Sequence, residues 1–215
     1  MAGIASALVL NIGTLTVELV EAMKIAAAAA YKKGIPVVLD VCGAGATRLR
    51  DEKCFELLKF AKIDVLKGNA SEVARIGGEK VQTKVVDASA VEKDLIEIAR
   101  HTAELYNCTV VITGAEDIVV NKMSGFLVQN GHPLMGTVVG TGCTAGSVIG
   151  TFCAVEKDYA MAAAAGLSCI EIAAEIAAKG SNGPGTFREL LVDCIYNLDA
   201  STVKSKQRIV SIKKV

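Results

Sequence analysis

The sequence predicts an α/β domain whose mostly parallel sheet is covered by helices on both faces. Short runs of Val, Ile and Leu alternate along the chain with longer helical patterns. Those runs are nearly continuous in apolar residues, as expected of strands buried on both sides. Glycine-rich or asparagine-containing turns mark the junctions after several of them.

Ala7–Asn11 reads as the first buried strand, closing at the turn Asn11-Ile12-Gly13. A helix follows from about Thr16 to Lys33, with Thr16 as N-cap, Glu18 in the first turn and Gly34 as the stop. Ile35–Asp40 is the next strand, with Pro36 near its start where a missing donor is tolerated. Beyond a Gly-rich loop, the pattern predicts a helix over Lys53–Ala61, a strand over Ile63–Lys67, a short helix over Asn69–Arg75 and a long one over Ser89–Tyr106. Thr109–Thr113 is a further strand, and Asp117–Asn121 with Gly125–Gln129 a hairpin. Helices over Cys143–Val155, Ala160–Lys179 and Phe187–Leu198 complete a domain spanning residues 1–199. Residues 200–215 read as a basic C-terminal tail with a solvated face.

Composition narrows the function. The chain has 215 residues, 52% of them apolar but only 4% aromatic, so Ala, Val, Ile and Leu must fill the core. Basic and acidic residues balance at 23 each, and no basic block suggests nucleic-acid or anionic-membrane binding. Seven cysteines, an odd number without a CxxC pair, argue against a disulfide framework and a structural zinc site; they fit a reducing, cytoplasmic compartment. Neither a secretory signal nor a bilayer-spanning segment is expected, because Glu171 and Glu175 interrupt the long Ala-rich stretch.

In such sheets functional groups collect beyond the C-terminal strand ends, where Asn11, Asp40, Lys67 and Thr113 all stand. The sharpest motif is Gly140-Thr141-Gly142-Cys143-Thr144, which runs directly into a helix. Its glycines allow close backbone approach to a ligand, and a helix start offers unpaired N–H groups to an anion. A lone cysteine is usually a core residue, but at this position Cys143 would face whatever the anion is attached to. The repeat Gly142, Gly146, Gly150 also serves close helix packing, which accounts for the last two but not for Gly140 or Cys143.

The loop Asp40–Thr47 follows a strand but matches neither GxGxxG nor the P-loop spacing. Asp40 suits either a hydrated Mg²⁺ near phosphates or a cap on the loop amides. In Lys67-Gly68-Asn69-Ala70-Ser71-Glu72, Asn69 and Glu72 have capping-box spacing. Their position beside Asp40 raises a second possibility, two carboxylates sharing the water ligands of one Mg²⁺. Thr113-Gly114 could bond a nucleotide phosphate through hydroxyl and backbone, or simply be a strand exit. His101 and His132 have no evident partners and read as structural.

Taken together, Ala7–Leu15, Asp40–Thr47, Lys67–Glu72, Val111–Gly114, Gly131-His132, Gly140–Cys143 and Gly183–Phe187 resemble, in order and spacing, the hydroxyethylthiazole kinases of the ribokinase-like superfamily. The resemblance extends to about Asp199 and implies a three-layer αβα sandwich. It also implies ATP-dependent phosphorylation of the primary alcohol of 4-methyl-5-(2-hydroxyethyl)thiazole, a thiamine-salvage step. By that resemblance Cys143 is the catalytic base or its surrogate, Gly140 lies against the thiazole alcohol, and Lys67, Thr113 and Gly142 contact ATP. Asp40 and Glu72 match the Mg²⁺-organising carboxylates, and a homotrimer with sites at subunit boundaries is implied. Asp40-Val41-Cys42 stands where the family usually has Asp-Pro-Val, and the chain opens at what would be the family's second or third strand. Two other readings stay open: a nucleotide- or thiazole-binding remnant without turnover, and a ribokinase-like kinase of another alcohol such as a hydroxymethylpyrimidine.

Overall fold

The computed structural model describes residues 1–78 and 88–212. Seven strands form one sheet in chain order: β1 (Leu8–Asn11), β2 (Val37–Asp40), β3 (Val65–Asn69), β4 (Thr109–Thr113), β5 (Asp117–Val120), β6 (Gly125–Val128) and β7 (Ile209–Ser211). β1 to β4 pair in parallel, with Asn11 beside Asp40 and Asp40 beside Lys67. β5, β6 and β7 continue the sheet by antiparallel pairing. The α/β expectation holds, and β6 points the same way as the parallel strands. Its C-terminal end therefore opens on the same edge as Asn11, Asp40 and Thr113.

Helices α1 (Val17–Lys33), α2 (Arg48–Phe60), α3 (Ala70–Ile76) and α4 (Ala88–Tyr106) connect β1 to β4; α5 (Thr141–Val155), α6 (Tyr159–Gly180), α7 (Pro184–Tyr196) and α8 (Ala200–Lys206) follow the hairpin. The period-2 pleat divides the strand side chains between two cores. Val37, Leu39, Leu66, Val110 and Ile112 pack with α1 to α4 on one face. Val38, Val65, Val111 and Val119 pack with α5 and α6 on the other. This is the three-layer sandwich. α6 is apolar and long enough to cross a membrane by composition alone, yet most of it is buried in the core, against α5, α7 and β6.

Local chemistry explains the boundaries. Thr16 accepts the Leu19 N–H at the start of α1, and Gly34 ends that helix in the left-handed region at φ 71°. α2 begins ahead of the expected Lys53, because the hydroxyl of Thr47 accepts the Arg50 N–H and caps it there. α7 likewise starts at Pro184, before Phe187, since proline suits a first helical turn, where the missing N–H has no partner to lose. The segment beyond residue 199 is not a detached tail: Asp199 caps α8, and β7 pairs with β6. The basic pair Lys213-Lys214 lies outside the described residues.

Candidate active site

The first turn of α5 lies over the ends of the parallel strands. A Cβ at Gly142 would stand 3.5 Å from Lys67 Nζ, one at Gly146 3.5 Å from Asp40 Oδ2, and one at Gly150 only 2.6 Å from Val9 Cγ2. The glycine repeat is thus what lets this helix settle onto β1 to β3. Gly140 precedes it at φ 103°, a conformation that favours glycine, and no side chain caps the helix. Thr144 N–H makes the first backbone turn to Gly140. The amides of Thr141, Gly142 and Cys143 therefore come before the helical ladder and suit an anion, aided by the helix dipole.

Beneath them, Lys67 Nζ donates to Asp40 Oδ2 at 3.1 Å, with both residues buried. Burial pushes the Asp40 carboxyl above its ordinary value, and the Lys67 charge only partly offsets this. The charge of Glu72 adds to the upward push, so the two carboxylates sense one another. Glu72 completes the capping box on α3: Asn69 Oδ1 accepts Glu72 N–H, and Glu72 Oε2 accepts Asn69 N–H at 2.7 Å. Its Oε1 accepts the Gly43 N–H at 2.7 Å, fastening the Gly-rich loop. The loop amides are thus capped by Glu72 and by Asp51, which takes Gly45 N–H, while Asp40 turns to Lys67.

Among the described residues, no group of three His, Cys, Asp or Glu side chains is placed to hold a metal. Two hard carboxylates nevertheless fit a Mg²⁺ that keeps most of its waters and takes its other ligands from phosphates. Each Glu72 oxygen accepts one amide and retains a lone pair for such a water.

Cys143 is exposed at the third position of α5, where its Sγ receives a hydrogen bond from Asn11 Nδ2 at 3.4 Å. Asn11 Oδ1 accepts Gly13 N–H at 2.8 Å, which fixes the amide's orientation. Arg50 binds the carbonyls of Ile12, Gly13 and Cys42, tying the β1 and β2 loops together beside the thiol.

Next to the α5 start lies a cavity of about 530 Å³, whose lining includes Thr113, Gly114, Thr141 and Gly142 together with the apolar Pro133, Met135, Ala145, Leu167 and Ile170. This combination of apolar walls and a few polar groups suits a small ligand with a flat apolar part and an anionic end. The structure brings Thr113 and Gly142 to the cavity, Cys143 and Gly140 to the adjoining helix start, and Lys67 with Asp40 beneath it. The Thr113 hydroxyl donates to Gly68 O across a long 3.4 Å, and the Gly114 N–H is occupied by Asp117 Oδ1, so a phosphate at this end would take the hydroxyl hydrogen from Gly68 rather than bind that amide.

Three polar cavity residues, Asp117, Asn130 and Glu171, were given no site role by the sequence, and His132 on the same wall was read as structural. His132 has a structural partner, its Nδ1 accepting Leu134 N–H at the head of the 3₁₀ turn Pro133–Thr137. Asn130 is saturated by Ser168, Glu175, Lys206 and Arg208. The hairpin pattern alone gave no sign that the far end of β6 would meet α6.

Comparison with known proteins places the chain in a family. The family model for the hydroxyethylthiazole kinase family matches residues 1–201. The hydroxyethylthiazole kinase of Methanosarcina mazei is 46% identical over 209 residues, 97% of this chain and 80% of that protein. The solved hydroxyethylthiazole kinase protein from Pyrococcus horikoshii OT3 superposes with a TM-score of 0.90 at 34% identity, covering 99% of this chain and 80% of its own. A ribokinase-like superfamily protein from Enterococcus faecalis V583 shares the fold at a TM-score of 0.61 and 15% identity, over 90% of this chain and 64% of its own.

Proposed function

The chain belongs to the hydroxyethylthiazole kinase family and is a kinase of the thiazole alcohol; from that premise we propose that ATP occupies the cavity with its phosphates at the α5 start, and that the alcohol approaches from the Cys143 side. The observation that carries this reading is the helix start itself: Thr141 and Gly142 line the cavity, and the next residue, Cys143, carries an exposed thiol oriented by Asn11.

Phosphoryl transfer asks mainly for positioning and charge stabilisation. The amides of Thr141, Gly142 and Cys143 face charge building on the transferred group. Lys67, already placed under Gly142, adds a cation there, and Thr113 contributes a hydroxyl to the phosphates. Cys143 accepts the alcohol proton or orients it, with Asn11 donating to the sulfur and holding it toward the acceptor, while Gly140 leaves room for the alcohol carbon. A thiol is a weak base, so turnover rests largely on alignment and on the anion-binding amides. Mg²⁺ neutralises phosphate charge when it is bound, and Asp40 and Glu72 are the carboxylates that would hold it through its waters.

Two further readings accompany this one. The free cysteines suit the cytoplasm, and the Ala-rich helices suit a homotrimer. A coupled ADP-release assay tests the central claim. Release that depends on the thiazole alcohol is expected; release only with a hydroxymethylpyrimidine, or nucleotide binding without turnover, would overturn it.

A further inference from the structure

Two carboxyl groups on the cavity wall are not used by that chemistry. Asp117 opens β5 and is 3% exposed; Glu171 lies on α6 and is 5% exposed. Asp117 Oδ1 accepts Gly114 N–H at 2.9 Å. Both line the same cavity, and each carboxyl shifts the other's titration. Glu171 Oε2 is enclosed and finds no donor among the described residues.

On the reading that the nucleotide occupies this cavity, we propose that Glu171 and Asp117 share one proton and thereby select the base of the phosphoryl donor. The Glu171 carboxyl gives its hydrogen to Asp117 and presents its remaining oxygen, as an acceptor, to the amino edge of adenine.

Two adjacent buried carboxylates do not both ionise. Burial first, and the neighbouring Asp117 second, push Glu171 up to about 11. It is therefore neutral at pH 7, and the shared proton supplies the hydrogen bond that the enclosed oxygen lacks. Burial pushes the Asp117 carboxyl up as well, but Glu171, the Gly114 amide on Oδ1 and the Lys67 charge all hold it down, whereas Asp117 only pushes Glu171 further up. The hydrogen therefore sits on Glu171 and points toward Asp117. The hydrogen-bonding sense of the group facing the cavity is then fixed. Adenine offers an N–H to that oxygen, whereas hypoxanthine and guanine place a carbonyl at the same ring position and leave two acceptors face to face. The saturated Asn130 nearby cannot relieve that mismatch.

The test compares kcat/KM for ATP and inosine triphosphate at saturating thiazole alcohol. The wild-type protein should favour ATP by about tenfold or more. Glu171→Met should bring the ratio close to one, through a raised KM for ATP at little change in kcat. Glu171→Gln should keep the preference, because its amide donates to Asp117 and its carbonyl still accepts. A wild-type ratio within about twofold, a folded Glu171→Met variant with undiminished preference, or loss of preference in Glu171→Gln would overturn the proposal. Gly136→Trp separates this from the premise. Gly136 lines the cavity, and a Cβ there meets nothing within 4 Å. The indole should raise KM for both nucleotides alike, and unchanged KM values would remove the seating of the nucleotide in the cavity and the base selection with it.

Discussion

Lys67→Met isolates the physical weight of the buried pair under α5. Asp40 is 2% exposed and Lys67 4%, and the ammonium is the only cation in a salt bridge with Asp40 among the described residues. Removing one partner of a buried pair costs about 3–5 kcal/mol, because the other charge is left without compensation. For a chain of this size that corresponds to a Tm lower by roughly 6–20 °C. The loss should depend on pH with a definite sign. The Asp40 carboxyl already lies above its ordinary value, and loss of Lys67 raises it further. An acid with a raised folded-state value is easier to bury protonated, so the variant's stability falls as pH climbs from the ordinary carboxylate range through that raised value. Urea denaturation at pH 5 and pH 8 should show the larger deficit at pH 8. Adding Asp40→Asn, which makes the site neutral, should recover most of it. An equal loss at both pH values, or a double variant no more stable than Lys67→Met, would refute the reasoning.

Cys143→Ala should lower kcat well beyond its effect on the KM for ATP if the alcohol approaches from the thiol, as proposed; equal effects would mark it as structural. Glu72→Gln should shift the Mg²⁺ titration of activity to higher concentration and destabilise by about 1–2 kcal/mol, because one of its two amide contacts faces an NH₂ group; an unmoved titration would count against the metal role. Gly150→Ala places a methyl 2.6 Å from Val9 Cγ2. Overpacking of about 1–3 kcal/mol should outweigh the roughly 1 kcal/mol of helix propensity gained, which thermal melting would show as a lowered Tm.

What was legible in the sequence was local. Thr16 and Gly34 bound α1 through contacts made within a turn of themselves, and the Asn69–Glu72 spacing gave its capping box directly. The strand ends at Asn11, Asp40 and Thr113 followed from parallel topology, which gathers such ends on one edge; Lys67, expected to end its strand, lies within β3, level with Asp40. Thr47 was hidden because its loop invited a comparison with phosphate-binding fingerprints rather than a search for the cap of the helix that follows. Asp117 and Glu171 could not be paired beforehand: their meeting depends on α6 crossing the hairpin, a contact between distant parts of the chain. β7 was missed because a three-residue run between Arg208 and Ile212, in a stretch otherwise basic, is too short to read as a strand.

That last strand ties the chain's far end to the wall of the pocket. Arg208 N–H is held by Asn130 Oδ1, its guanidinium reaches Gln129 O and Glu175, and Glu175 in turn receives the Gly131 N–H. A fusion partner or affinity handle attached after residue 215, or a clipped terminus, would act on this wall of the cavity, far in sequence from Lys67 and from the α5 start. Nucleotide affinity should register such a change before turnover does, so preparations that differ only at this end are not interchangeable for measuring it.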